Sequence, residues 1–377
     1  MHPAMAHSAS GRTPRWLAHE RLQDLLDALG RAGYQCIGPK LRDGAILYEH
    51  IDSAGDLPKG VSVEQAPGSY RVSMTDSPRR FAWANGPQAI KPFVFAPREA
   101  LWRAKRCENG TLVFDAQPPA NKPLAVIGAR ACDLAALALQ DKHFLGGDYP
   151  DPNYAKRRNN MFVVAVHCSH PAQTCFCVST GDGPRAAYGF DMAMSELDDG
   201  FVVESGSERG AAMLDALNLP GAVQAQMVIA DEQSRHAAEV QQRVLPGRNL
   251  QASLFANLEH PRWQDVAERC LSCGNCTSVC PTCFCHSEAD VPALDGGSSE
   301  HAREWDSCFT QGHSYVHGFT VRPDTRTRYR QWLTHKLGGW HTQYGRSGCV
   351  GCGRCISWCP VGIDITEEAN AICGKQP

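Results

Sequence analysis

Two segments of this chain follow one plan. Residues 270–281 read CLSCGNCTSVCP and residues 349–360 read CVGCGRCISWCP. Both have the form C-x2-C-x2-C-x3-C-P, the spacing that holds [4Fe–4S] clusters. Three closely spaced thiolates wrap one cubane from a tight loop. The fourth cysteine, followed by proline, points away and serves the other cluster. By that rule Cys270, Cys273, Cys276 and Cys359 anchor one cluster, and Cys349, Cys352, Cys355 and Cys280 anchor the second. Whatever else the chain does, these two segments must fold onto each other. Structural zinc fits less well, because tetrahedral zinc takes two cysteine pairs set well apart rather than two runs each ending in proline. Soft thiolates also suit iron–sulfur clusters.

Sixty-eight residues lie between Cys280 and Cys349, far more than a compact two-cluster ferredoxin needs. A spacer of that length, with the helix-like TRTRYRQWLTHKL at 325–337, points to an α-helical dicluster arrangement. From about residue 246, after the PGRN turn, convincing strands are absent and most of the eighteen cysteines are found. The expected plan is α+β: a flexible tail over 1–15, a mixed α/β domain over 16–245, and a mainly α-helical dicluster ferredoxin domain over 246–377.

In the first domain a helix is expected from Trp16 to Gly33, on the spacing of Leu22, Leu25, Leu26 and Leu29. Short strands are expected at 45–51, 61–65 and 69–74. EALWRAKR, after KPFVFAP, looks helical. PLAVIGAR (123–130) and MFVVAVH (161–167) read as buried strands. A helix capped by Asp133 follows the former. FDMAMSEL and FVVES read as a strand pair, and 206–218 and 231–244 as helices.

Ten cysteines fall outside the two runs. The tetrapeptide TCFC occurs twice, at 174–177 and 282–285. Cys132, Cys168, Cys175 and Cys177 lie near the ends of two buried strands and are candidates for a third cluster. The alternative is a set of buried reduced cysteines that pack as small hydrophobes. Cys283, Cys285 and Cys308 read as groups packed beside the clusters, where S–H and N–H donors tune potential; one of them is an alternative member of the third site. Cys36, Cys107 and Cys373 read as structural.

No nucleotide-binding glycine loop and no catalytic motif stand out, and no histidine is assigned as a ligand. Arg322, Arg326, Arg328, Arg330, His335 and Lys336 form a basic stretch. It reads equally as a solvated helix face or as positive charge set against anionic clusters. A net charge of −3 argues against a broad nucleic-acid footprint. No run approaches the ~18 apolar residues of a membrane span. The N-terminus lacks the apolar core of a secretory signal. The cytoplasm is therefore the expected compartment, where thiols stay reduced.

Several segments resemble the β subunit of cytoplasmic NAD(P)-linked [NiFe] hydrogenases, also called sulfhydrogenase β subunit. These are GARACDLAAL (128–137), DPNYAKRRN (151–159), HCSHPAQTCFCVSTGDGP (167–184) and GFDMAMSEL (189–197). After them come both cysteine runs, REWDSCFTQ (303–311) and VRPDTRTRYRQWLTHK (321–336). The iron–sulfur subunit of anaerobic sulfite reductase is a similar, alternative relative. Ala131 departs from the family, which often has proline before the cysteine; Cys132 itself is kept. The resemblance implies a non-catalytic electron carrier in a hetero-oligomer. Its partners would be hydrogenase large and small subunits and a flavin- and NAD(P)-binding subunit.

Overall fold

The computed structural model describes residues 13–119 and 122–374. The expected tail lies outside the described residues up to position 12. Arg15–Ala18 form strand β1.

The largest sheet has seven strands. After β1 come β2 (Gln35–Arg42) and β3 (Ala45–His50). A hairpin of β4 (Val61–Ala66) and β5 (Ser69–Met74) stands apart, as does β6 (Arg98–Arg106) with β7 (Leu112–Ala116). The sheet resumes with β8 (Leu124–Ala129), β9 (Met161–Val166), β10 (Met192–Glu196) and β11 (Gly200–Ser205). Its spatial order is β1-β11-β10-β9-β8-β2-β3. The four central strands β10, β9, β8 and β2 are parallel, with antiparallel neighbours at both edges. Parallel strands are covered on both faces, which explains the unbroken apolar run MFVVAV of β9, buried at every position. Each such Val or Phe contributes roughly 1.5–3 kcal/mol on burial.

Because β8 and β9 are parallel neighbours, both leave the sheet at the same edge. Cys132 and Cys168 each follow within three residues of the strand end. Helix α1 (Leu22–Arg31) buries the leucines that signalled it. Helix α2 (Ala131–Phe144) follows β8, and Asp133 caps it from inside the first turn by accepting the Arg130 N–H at 3.2 Å.

Three expectations are corrected. Trp16 belongs to a strand, not to the first helix, because β1 pairs antiparallel with β11. EALWRAKR is strand β6, not a helix. Its helix-favouring composition is overridden by pairing with a segment two hundred residues away. That segment is a hairpin of β12 (His286–Pro292) and β13 (Ser298–Trp305), so residues after 246 are not free of strands. The order β12-β13-β6-β7 makes one four-stranded sheet. At its base buried Arg303 pairs with Glu99 of β6 and with Asp151, and Arg157 reaches the same Glu99 at 2.6 Å.

The cysteine-rich part adds helices α3 (Arg262–Arg269), α4 (Thr325–Thr334) and α5 (Ile365–Cys373). They enclose a second core of Trp263, Val266, Tyr329, Leu333, Ile356 and Ile365. The chain as a whole is mixed α/β, with its sheets concentrated in the N-terminal part.

Candidate iron–sulfur sites

Both cysteine runs adopt the same local fold. A loop carries the first two cysteines and passes into one helical turn that holds the third, Asn275–Ser278 or Arg354–Ser357, each entered through a glycine with positive φ (Gly274, +76°; Gly353, +72°). In each loop a backbone N–H points back at the first thiol: Ser272 N to Cys270 Sγ at 3.4 Å, and Gly351 N to Cys349 Sγ at 3.5 Å. Ile363 N makes the same contact with Cys359 Sγ at 3.3 Å. Donors of this kind offset negative charge on a cluster and tune its potential.

The fourth cysteines cross over. Cys359 lines one cavity together with Cys270, Cys273 and Cys276. Cys280 lies within electrostatic reach of Cys349, Cys352 and Cys355. Cys355 also faces Cys276, so the two groups are adjacent. Cys355 reaches the same wall, which is otherwise mostly apolar, with Phe309, Trp332 and Ile363. All eighteen cysteines are free thiols. Burial pushes Cys349 up to about 12 and Cys352 up to about 11, so without a metal these thiols hold their protons. Among the described residues no three Cys, His, Asp or Glu side chains converge tightly enough for one bare metal ion. Cys270, Cys273, Cys276 and Cys359 line one cavity, as anchors of a multi-iron cluster must.

The sheet edge gathers another set. Cys177 faces Cys168 and Cys352, Cys175 faces Cys177 and Cys168, and Cys132 faces Cys352 and Cys177. Cys132, Cys168, Cys175 and Cys177 therefore form one group, set against the second run. The first TCFC is pressed onto that run: a Cβ on Gly351 would fall 2.5 Å from the Phe176 carbonyl, and one on Gly353 2.3 Å from the Thr174 oxygen. Phe176 N donates to Gly351 O at 2.8 Å. Beside them, Arg354 and Asp133, both buried, form an ion pair at 2.5 Å. Asp133 also accepts from Asn85 Nδ2 at 2.7 Å.

The second TCFC sits on the other side of the same run. Thr282 Oγ1 donates to Gly348 O at 2.7 Å and accepts from Lys336 Nζ at 2.9 Å. The Lys336 ammonium also lies 3.3 Å from Cys283 Sγ and 3.7 Å from Cys280 Sγ. Burial works against its charge, but Cys280 and Cys283 outweigh that and raise its pKa. The basic stretch thus divides. Arg326 and Arg330 pair with exposed Glu259, Arg328 donates to three backbone carbonyls, and Lys336 reaches the thiols of Cys280 and Cys283. Sequence reasoning missed the Arg354–Asp133 pair, since neither residue carries a motif.

Residues 269–363 match the family described as a 4Fe-4S dicluster domain. Over 285 residues the chain is 31% identical to the sulfhydrogenase 2 subunit beta of Pyrococcus furiosus, spanning 75% of this chain and 82% of that protein. The chain belongs to the sulfhydrogenase β-subunit family. No solved structure matches it. For a sulfhydrogenase β subunit carrying a dicluster domain, [4Fe–4S] clusters are the cofactor and electron transfer within a multisubunit hydrogenase is the role. Among the described residues no helix is long and apolar enough to cross a membrane.

Proposed function

We propose that this subunit relays single electrons through at least three [4Fe–4S] clusters. They lie between the catalytic and the flavin- and NAD(P)-binding subunits of a cytoplasmic [NiFe] hydrogenase. Cys270, Cys273, Cys276 and Cys359 hold one cluster; Cys349, Cys352, Cys355 and Cys280 hold the next; Cys132, Cys168, Cys175 and Cys177 hold the third. The crossing of Cys280 and Cys359 carries the reading, because each lies with the first three cysteines of the other run. The clusters supply one-electron chemistry, and the protein supplies anchoring, insulation and tuning. Backbone N–H groups at Ser272, Gly351 and Ile363 offset the charge of the bound thiolates. Apolar walls keep water away. Cys352, facing both Cys132 and Cys280, joins the sheet-edge group to the paired runs.

The test is anaerobic purification with companion subunits, followed by iron and sulfide counting. Replacing Cys175 and Cys177 together by alanine should remove about four irons and leave the paired runs loaded. Unchanged iron in that variant would remove the third cluster from the proposal. A wild-type protein without iron or sulfide would end the whole reading.

A further inference from the structure

A second cavity of about 120 Å³ lies between the base of the β12–β13 hairpin and α4. By the same measure a single water needs about 10–15 Å³, so this is no packing flaw in a close-packed interior. Its lining includes Cys283, Cys285, Cys308, His313, Arg322 and Lys336. None of the three cysteines belongs to the runs or to the sheet-edge group. We propose that Cys283, Cys285, Cys308 and His313 hold a further iron–sulfur cluster of the [4Fe–4S] type.

The ligand chemistry is complete. Cys285, Cys308 and His313 line the cavity together, and the His313 ring lies within electrostatic reach of Cys285. His313 Nδ1 lies 2.9 Å from Asp306 Oδ2. A carboxylate on one ring nitrogen fixes the tautomer and orientation and leaves Nε2 as the ligand, the arrangement metal-bound histidines use. Three thiolates and a neutral imidazole around an oxidised cubane leave a single negative charge, and buried Lys336 sits against Cys283 to meet it. Two buried N–H donors, Arg322 Nε of this lining and Trp332 Nε1, whose ring lies between this cavity and the first, have no hydrogen-bond partner among the described residues. Cluster sulfides are acceptors of the kind they lack.

The place is also right for a relay. Lys336 Nζ bridges Cys283 Sγ at 3.3 Å and Cys280 Sγ of the second cluster at 3.7 Å, and Cys308 packs on the same core as Cys276 of the first. One electron would arrive from either neighbour, which is oxidised as this cluster is reduced; no bond breaks and no proton moves. A histidine ligand sets this cluster's potential above that of an all-cysteine neighbour, as histidine does in Rieske centres.

The proposal rests on the iron–sulfur reading of the paired runs, and the experiment separates the two. The full chain is purified anaerobically with its companions, as wild type, Cys276→Ala, Cys285→Ala/Cys308→Ala and His313→Cys. The double variant should lose about four irons and four sulfides relative to wild type. Pulsed EPR of reduced wild type should show nitrogen hyperfine coupling from the imidazole. His313→Cys should keep the iron, lose that coupling and titrate at a lower potential. Wild-type iron in the double variant, or zinc in place of the missing iron, overturns the proposal. Should the double variant fail to fold, the spectra decide: coupling present in wild type and gone in His313→Cys supports the site, and no coupling in wild type overturns it. Full iron in Cys276→Ala would instead sink the reading of the runs.

Discussion

The same four residues, TCFC, occur at 174–177 and 282–285 and do related work on opposite sides of one cysteine run. In both, the threonine is fully buried and ties the tetrapeptide to that run. Thr174 Oγ1 bonds Ser357 Oγ at 2.9 Å, and Thr282 Oγ1 donates to Gly348 O at 2.7 Å. In both, the phenylalanine is a packing anchor: Phe176 enters the second core, and Phe284 stacks on His143 at 3.5 Å. They differ in what completes the thiol pair and in the nearby charge. The first is joined by two cysteines from adjacent strand ends, next to an ion pair that is already neutral. The second is joined by Cys308 and His313, next to Lys336, a cation with no carboxylate partner among the described residues. Identical local sequence therefore supplies a bracket and two thiols, while tertiary context decides the electrostatics of each site.

The most damaging change is to remove one cluster of the paired runs on which the brackets depend. Cys276→Ala should cost one cluster, about four irons, and with it cooperative melting of the part that follows α3, since metal binding and folding are coupled. Single alanine replacements at Cys177 or Cys285 should spare that melting transition. Iron analysis and anaerobic thermal unfolding check both; equal damage at all three positions would erase the distinction between foundation and bracket.

The two charge environments give the next largest contrast. Arg354→Met leaves Asp133 buried and unpaired, and should destabilise the protein by about 3–5 kcal/mol in chemical denaturation. Adding Asp133→Asn should recover part of the loss. Lys336→Met should instead act mainly on potential, because Lys336 faces thiols rather than a carboxylate. Clusters near it should become harder to reduce in an EPR-monitored titration. An unchanged potential would show that its charge is answered elsewhere.

Smaller effects should separate the two threonines. Thr174→Val loses a hydroxyl pair and should cost about 1 kcal/mol. Thr282→Val loses a bond to a backbone carbonyl and also one acceptor of a buried ammonium, so the cost should lie nearer about 2–3 kcal/mol. Denaturant midpoints of the two variants test the order.

The paired runs were legible because their spacing states a three-dimensional requirement directly. Strands β8, β9, β10 and β11 were legible because burial on both faces leaves continuous apolar runs. Cys132, Cys168, Cys175 and Cys177 could be grouped from sequence once two buried strands were seen to end beside them. The β6–β13 pairing was not legible. Glu99 to Arg106 carry helix-favouring residues, and the segment that makes them a strand lies about two hundred positions on. His313 was hidden for the same reason. Only the fold turns a histidine five residues after Cys308 back toward Cys285, with Asp306 behind it. Lys336 looked like one more charge in a basic stretch until the helix packed.

The last contrast is one of pH. His143 stacks on Phe284 of the second bracket, and its Nδ1 lies 2.8 Å from the Tyr344 hydroxyl. Burial pushes its pKa down to about 4; His286 and Arg303 act in the same direction, while Asp151 opposes them. A histidine with a depressed folded pKa contributes stability that is complete above its unfolded value of about 6.5 and is lost as pH falls toward the folded value. Between pH 7 and pH 5.5 this group should therefore weaken the fold by up to about 1 kcal/mol, the upper figure allowing for its partial exposure. Among the described residues no histidine stacks on Phe176 of the first bracket, which lies in the second core. Replacing His143 by glutamine should flatten this part of the pH dependence, measured as denaturation midpoints at the two pH values. A midpoint difference that survives the substitution would assign the acid sensitivity to another group and make the two brackets alike in this respect.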